Sequence, residues 1–146
     1  MDKKNLVEII DSELKPLGFK RKGIIWRAES DELIKEVDLQ KSNFSNLYYL
    51  NFGFIIKGLE LSHFKRHVYK SLYGRTPQES LFIKNFLDLE NLEEKHVELF
   101  KEIFNDKISS VYKTINSCDE LKVYVLDHID EIPLVPIELK KFYNLD

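Results

Sequence analysis

The fold is decided by residues 48–56, which read YYLNFGFII. Successive side chains of a β-strand point to opposite faces of its sheet. Every second position of this stretch therefore puts a bulky side chain on one face: Tyr48, Leu50, Phe52, Phe54 and Ile56. Tyr49, Asn51 and Gly53 fall on the opposite face. This alternation predicts a strand with one buried face.

Two further strands are predicted upstream. Residues 24–28 are rich in residues that favour strands, and residues 33–41 alternate, with Val37 and Leu39 on one face. Turn-forming residues at 30–32 and 43–46 separate these segments. Strands joined by short turns predict an antiparallel meander with one buried face.

Helices are predicted on both sides of these strands. Apolar residues at helical spacing predict a first helix over 3–16. A second helix is predicted over 91–116, with Asn91 and Glu94 as its capping box. Ser117 opens a third, and Pro136 starts a short terminal helix that reaches Phe142.

The middle of the chain is less regular. Residues 61–73 fit a helix capped by Ser62, and they fit a strand equally well. Ile83, Leu87 and Leu89 indicate a further extended segment after Pro77.

The order of elements predicts an α+β protein. We expect an antiparallel meander sheet of about four to five strands, packed on one face by the N- and C-terminal helices. The length suits a single domain over residues 1–146. We expect one core between the sheet and helix 91–116, made by Trp26, Leu39, Leu50, Phe52, Phe100 and Phe104.

Several short motifs resemble one family. They lie at residues 18–23, 26–27, 39–42 and 48–53, and the similarity continues through Ile115 to Val125. These motifs resemble the domain of unknown function 4304 family. The resemblance implies a small α+β protein, mainly bacterial, with no assigned activity and no catalytic residues to carry over. It also favours a strand at 66–73.

Charge and composition narrow the classes of partner and compartment. Residues 1–75 carry a net charge of +4 and residues 76–146 a net charge of −7. A nucleic-acid partner is unlikely on these grounds, because phosphate binding needs a strong basic excess. RNA binding stays open only as a minor alternative, from aromatic and basic residues interleaved at 64–75. The sequence has no stretch typical of a membrane span, and its one cysteine fits a reducing compartment, so we expect a cytoplasmic protein.

No motif in the sequence carries a known catalytic mechanism. Cys118 lies beside Asp119 and Glu120, whose charges raise a thiol pKa, so we expect a structural thiol. His63 and His67 have the spacing of helical metal ligands but lack the glutamate and the third ligand of such motifs, and we interpret them as surface histidines. Phosphate-binding glycine motifs are missing from the sequence. We therefore expect no metal, no cofactor and no enzymatic activity.

The favoured function is a non-catalytic protein-binding module. Antitoxins and toxin-immunity proteins include many proteins of this size and fold class, and the analogy rests on that alone. If Trp26, Leu39 and Leu50 are buried, strand alternation sends polar residues to the opposite face. A solvated face would explain these residues equally well. The predicted binding residues are Arg27, Asp38, Gln40, Tyr49 and Asn51.

The alternative function is a small-ligand-binding protein or an enzyme. It would use a cleft between the sheet and the helices, lined by Tyr69, Tyr73, Tyr112 and Tyr124. Tyrosines at the margin of a core are a simpler explanation of the same residues.

Overall fold

A five-stranded antiparallel sheet forms the centre of the protein. The computed structural model describes residues 1–61 and 63–145. Each strand is hydrogen-bonded to the next strand in the chain, so the predicted α+β meander is confirmed. The strands are β1 (Lys20–Lys22), β2 (Ile25–Glu29), β3 (Leu33–Lys41), β4 (Tyr48–Ile56) and β5 (Val68–Ser71).

The register of β3 and β4 agrees with the predicted alternation. Val37 lies opposite Phe52 and Leu39 opposite Leu50, and all four side chains are buried. Trp26 of β2 lies opposite Val37 and shares this face. We call this side of the sheet the helix face and the other side the outer face.

Apolar periodicity alone does not predict the strands at the two ends of the sheet. The first strand, β1, has three exposed side chains of cationic residues, so no buried pattern marks it. Lysine on such a short edge strand discourages pairing with a second chain. At the other end, β5 shows that the strand interpretation of residues 61–73 was correct, while the alternative cap Ser62 lies outside the described residues.

The N-terminal helix α1 spans Lys3–Leu14. The side chain of Asp2 accepts a hydrogen bond from the Asn5 amide, which closes a capping box. A 3-10 turn at Lys15–Leu17 follows, and Gly18 ends it with φ +87°. The predicted helix over 3–16 is therefore confirmed to within the final turn.

The extended segment predicted after Pro77 is wrong, because residues Pro77–Phe86 form helix α2. Thr76 caps this helix by accepting a hydrogen bond from the Glu79 amide, and Pro77 occupies its first turn. The apolar residues of this segment also fit a helix, but they are too few to distinguish the two periods.

The helix predicted over 91–116 is shorter and interrupted. A 3-10 turn at Glu94–His96 precedes α3 (Val97–Phe104), so the Asn91 capping box is not formed. A π turn at Asn105–Ser109 then joins α3 to α4 (Ser110–Thr114). The chain closes with α5 (Cys118–Asp127), capped by Ser117 as predicted, and with α6 (Ile137–Tyr143).

One core fills the space between the helix face and the helices. The six side chains predicted to meet there are all buried in one cluster. The Phe54 ring contacts Tyr112 of α4 and Tyr124 of α5, at 5.2 Å and 6.3 Å between ring centres. The indole of Trp26 donates to Asp11 of α1 over 3.0 Å. Among the described residues, no helix has the length and apolar character needed to cross a membrane.

Candidate functional site

The predicted binding residues all lie on the outer face. Asp38 pairs with Asn51 and Gln40 with Tyr49 in the β3–β4 register, while Arg27 of β2 lies opposite Glu36. The shared face therefore follows from strand alternation, as the sequence predicts.

The structure does not leave all five of these residues accessible. Asp38 and Asn51 are only 6% and 2% exposed, whereas Arg27, Gln40 and Tyr49 are exposed. Two of the five predicted binding residues, Asp38 and Asn51, are therefore not accessible to a partner. A side chain of the same chain covers them.

That covering side chain is Arg66, which sequence reasoning missed. It precedes β5, and it is 2% exposed. Its Nε donates to Glu36 Oε1 over 2.9 Å, and its Nη2 donates to Asp38 Oδ2. Its Nη1 is buried without a hydrogen-bond partner among the described residues.

Gly53 makes room for this arrangement. A Cβ atom added at Gly53 would lie 1.8 Å from the carbonyl oxygen of Val68 and 3.3 Å from Cδ of Arg66. A residue with a Cβ atom would therefore fit here only if the backbone of β5 moved. A glycine inside an otherwise bulky strand is a signal of close backbone approach, and it could have pointed to this covering segment.

Hydrogen bonds extend from Asp38 of β3 across β4 to β5. The Asn51 side-chain amide donates to Asp38 Oδ1 and to Gln40 Oε1, each over 3.1 Å. Its oxygen accepts from the Ser71 hydroxyl over 2.6 Å. We call this set the buried network, and its members are Glu36, Asp38, Asn51, Arg66 and Ser71.

The electrostatics of the buried network are balanced. Burial acts to lower the pKa of Arg66, but Asp38 and Glu36 together outweigh it, so the pKa is raised. Arg27 binds Glu36 from the exposed side, through Nε over 2.8 Å and also through Nη2. Arg27 and Arg66 thus face the two carboxylates, so the buried network and Arg27 together carry no net charge.

The accessible margin of the outer face combines several kinds of side chain. Arg27 and Gln40 are attached to the buried network, while Tyr49 is 47% exposed. Ile25 lies on the same face, because it pairs with Asp38 in the β2–β3 register, and its side chain is exposed. We call Ile25, Arg27, Gln40 and Tyr49 the exposed margin.

The four tyrosines of the alternative site do not meet in one cleft. Tyr73 and Tyr124 line a cavity of about 630 Å³ beside β5, α4 and α5. Tyr69 instead lies on the outer face, where the guanidinium of Arg66 stands 5.2 Å from its ring centre. Tyr112 is buried, and its hydroxyl donates to the Glu36 carbonyl and accepts from the Gly53 amide.

His67 and Cys118 have structural environments. His67 is fully buried rather than on the surface, which corrects that expectation. Its Nδ1 accepts from the Ile56 amide and its Nε2 lies 2.8 Å from the Glu60 carbonyl oxygen. Burial raises the pKa of the half-buried Cys118 thiol, and Glu32 and Asp119 raise it further. Within residues 1–61 and 63–145, no group of three or more His, Cys, Asp or Glu side chains could hold a metal ion.

A comparison with known families agrees with the motifs on the sheet. The family described as domain of unknown function (DUF4304) matches residues 10–117. The match covers about three quarters of the chain, from α1 to the end of α4, and it includes the sheet, the buried network and the exposed margin. The chain belongs to this family. The description of the family assigns no activity, so membership identifies the domain without naming a substrate or a partner.

No curated protein and no solved structure matches the chain.

Proposed function

We propose that this protein is a non-catalytic protein-binding module that contacts its partner through the exposed margin of the outer face. The proposal rests on one observation, which is that exposed side chains are hydrogen-bonded to the buried network. Glu36 holds Arg27, and Asn51 holds Gln40. Binding then costs little side-chain entropy, because these groups are already fixed before the partner arrives.

The residue types of the exposed margin suit recognition of a protein. Arginine and tyrosine are enriched among the residues that dominate binding energy at interfaces. Tyr49 and Ile25 supply apolar area next to the fixed polar groups of Arg27 and Gln40. A face that is merely solvated needs neither exposed apolar residues nor fixed amides.

Charge around the exposed margin favours an acidic partner surface. Lys20 and Lys22 of β1 lie beside Arg27 and Ile25, and neither forms an ion pair with a described residue. The exposed carboxylate of Glu29 on the same face is 3.5 Å from Lys57 and is thereby neutralised. Such a positive rim raises the rate of association with an acidic protein.

Antitoxins and toxin-immunity proteins are one class of small, non-catalytic binding protein, and we propose that class on size and fold class alone. The single cysteine suits a reducing compartment, and on that ground we propose a cytoplasmic protein. A bacterial source is what the resemblance to a mainly bacterial family implies.

Affinity capture from the cell that produces the protein tests this proposal. The bait proteins are the wild type, the double variant Arg27→Ala with Gln40→Ala, and Phe142→Ala. Phe142 is a matched control, because its ring is 44% exposed and lies on α6, away from the outer face. Mass spectrometry should identify an acidic protein that the wild type and Phe142→Ala retain and that the double variant loses. Retention of the same proteins by all three baits would contradict the proposal.

Stability must be measured in parallel. The double variant removes exposed groups, so we expect its melting temperature to stay within a few degrees of the wild type, at a cost of about 1 kcal/mol. Charge reversal at Lys20 and Lys22 should weaken capture of the same protein. Reversal at the exposed Lys3 and Lys4 of α1, with the same change in net charge, should not.

A further inference from the structure

The cavity beside β5 is lined by three cationic side chains and by the two carboxylates of Asp106 and Glu131. Its volume of about 630 Å³ is within the range that binds small organic molecules. Lys70, Arg75 and Lys107 line it, together with His128. It lies on the helix-face side of β5, and the proposed protein-binding margin lies on the other side of the sheet.

Two of these cations already have a carboxylate partner. Arg75 is 3.6 Å from Asp106, and Lys107 is 3.2 Å from Glu79. Lys70 forms no ion pair with any residue in the described part of the chain, although it is only 8% exposed. It is therefore a buried cation without a counter-ion, on the wall of a cavity.

The surroundings of Lys70 hold its ammonium group in place. The Nζ atom donates to the Tyr124 hydroxyl over 3.0 Å and lies 5.7 Å and 5.3 Å from the ring centres of Phe52 and Tyr124. An ammonium group has three N–H donors. Two of them have no hydrogen-bond partner among the described residues.

Tyr124 supplies a second donor at the same place. Its hydroxyl oxygen accepts from Lys70, so its own hydrogen is free to be donated to a ligand. Burial raises the pKa of Tyr124, and the hydroxyl keeps its proton at neutral pH. The His128 ring stacks on Tyr124 at 4.3 Å between centres and provides a flat wall.

We propose that this cavity binds a small organic anion, with its carboxylate or phosphate group held by the Lys70 ammonium and the Tyr124 hydroxyl. Glu131 lines the same cavity, but no described carboxylate lies within ion-pair distance of the Lys70 ammonium, and the anion would provide that direct contact. A planar or aromatic body would lie against the apolar and aromatic wall of the cavity, which Leu72, Tyr73 and Ile115 contribute.

Burial of a cation without a carboxylate partner is costly, so a ligand that brings a negative charge to the Lys70 ammonium would be favoured. In agreement with this geometry, burial lowers the pKa of Lys70; Glu131 acts in the opposite direction and Lys107 in the same one. A bound anion would reverse part of that shift.

NMR titration of the full chain tests the site. Benzoate and phenyl phosphate serve as probes, one for each anionic group, at constant ionic strength. We expect saturable amide shifts at Ser71, Tyr73 and Ser110 with at least one of them. Saturation by benzoate alone would identify a carboxylate site, and saturation by phenyl phosphate alone a phosphate site. Shifts that rise linearly with both probes would overturn the proposal.

Variants of two lysines show whether the probes bind at Lys70. Lys70→Met keeps an unbranched side chain that is one atom shorter and removes the charge. We expect the affinity to fall by about tenfold or more, the factor for a lost hydrogen bond to a charged group. The exposed Lys113 on α4 does not line the cavity, so Lys113→Met is the matched control and should bind as the wild type does. Amide spectra without ligand show whether each variant is folded. Equal affinity for Lys70→Met and the wild type would also overturn the proposal.

Discussion

Arg66 and Lys70 lie four residues apart, both are almost fully buried, and their environments are opposite. Arg66 crosses the outer face and binds two carboxylates, Glu36 and Asp38. Lys70 points to the helix face and meets one hydroxyl and two aromatic rings. The pKa of Arg66 is raised, whereas the pKa of Lys70 is lowered.

This difference shows that burial alone does not determine what a cation does in a fold. Burial acts to lower the pKa of both groups, and only the carboxylates beside Arg66 reverse the effect. Arg66 is therefore part of the structure, since the two carboxylates beneath it need its charge. Lys70 has no described carboxylate within ion-pair distance, so an anionic ligand could bind its charge.

The largest expected effect is that of Arg66→Met. Removal of the guanidinium leaves the carboxylates of Glu36 and Asp38 buried, with Arg27 as the remaining cation. Breaking a buried ion pair in this way typically costs about 3–5 kcal/mol. Urea unfolding should show a loss of that size.

Arg75→Met is the control for this measurement. Arg75 is exposed and has one distant carboxylate partner, so its loss should change the free energy of unfolding by no more than about 0.5 kcal/mol. Equal small losses for Arg66→Met and Arg75→Met would mean that the buried network does not stabilise the outer face.

Arg66→Lys should have a smaller effect and separates charge from geometry. Lysine keeps the positive charge, but its single ammonium cannot reproduce the fork that reaches Glu36 and Asp38 together. We expect a loss of about 2 kcal/mol, close to one charged hydrogen bond. A stability equal to that of the wild type would show that charge alone is sufficient at this position.

Alternation along residues 33–41 and 48–56 was sufficient to predict the sheet register, because a strand has only two faces and one of them is apolar. The same reasoning placed Arg27, Asp38, Gln40, Tyr49 and Asn51 on one side. It could not predict that Asp38 and Asn51 are buried, since alternation says nothing about what covers a face.

The features that periodicity missed depend on contacts between distant segments. Arg66 is buried through partners about 30 residues away in the chain, and Tyr112 joins β3 to β4 from a helix. Lys70 looks like any strand lysine in the sequence, and only the packing of α5 against β5 makes it a buried cation. Helix α2 was missed for a local reason, because its few apolar residues fit two periods.

The smallest effect expected at the two buried cations, and the one of opposite sign, is that of Lys70→Met. Methionine fills most of the same space without a buried charge, so we expect the free energy of unfolding at neutral pH to rise by about 1 kcal/mol.

The gain should depend on pH, because the pKa of Lys70 is below its ordinary value of 10.5 in the folded state. Between these two pKa values the unfolded chain binds more protons than the folded one, so raising the pH stabilises the wild type. The difference between variant and wild type should therefore shrink as the pH rises toward 10.5. Lys35 is also buried with a lowered pKa, but it titrates in both proteins and cancels in the difference.

Urea unfolding of wild type and Lys70→Met across this pH range measures the effect. A loss of stability as large as that of Arg66→Met would show that Tyr124 and the two aromatic rings compensate Lys70 fully, and the contrast between the two cations would then be lost.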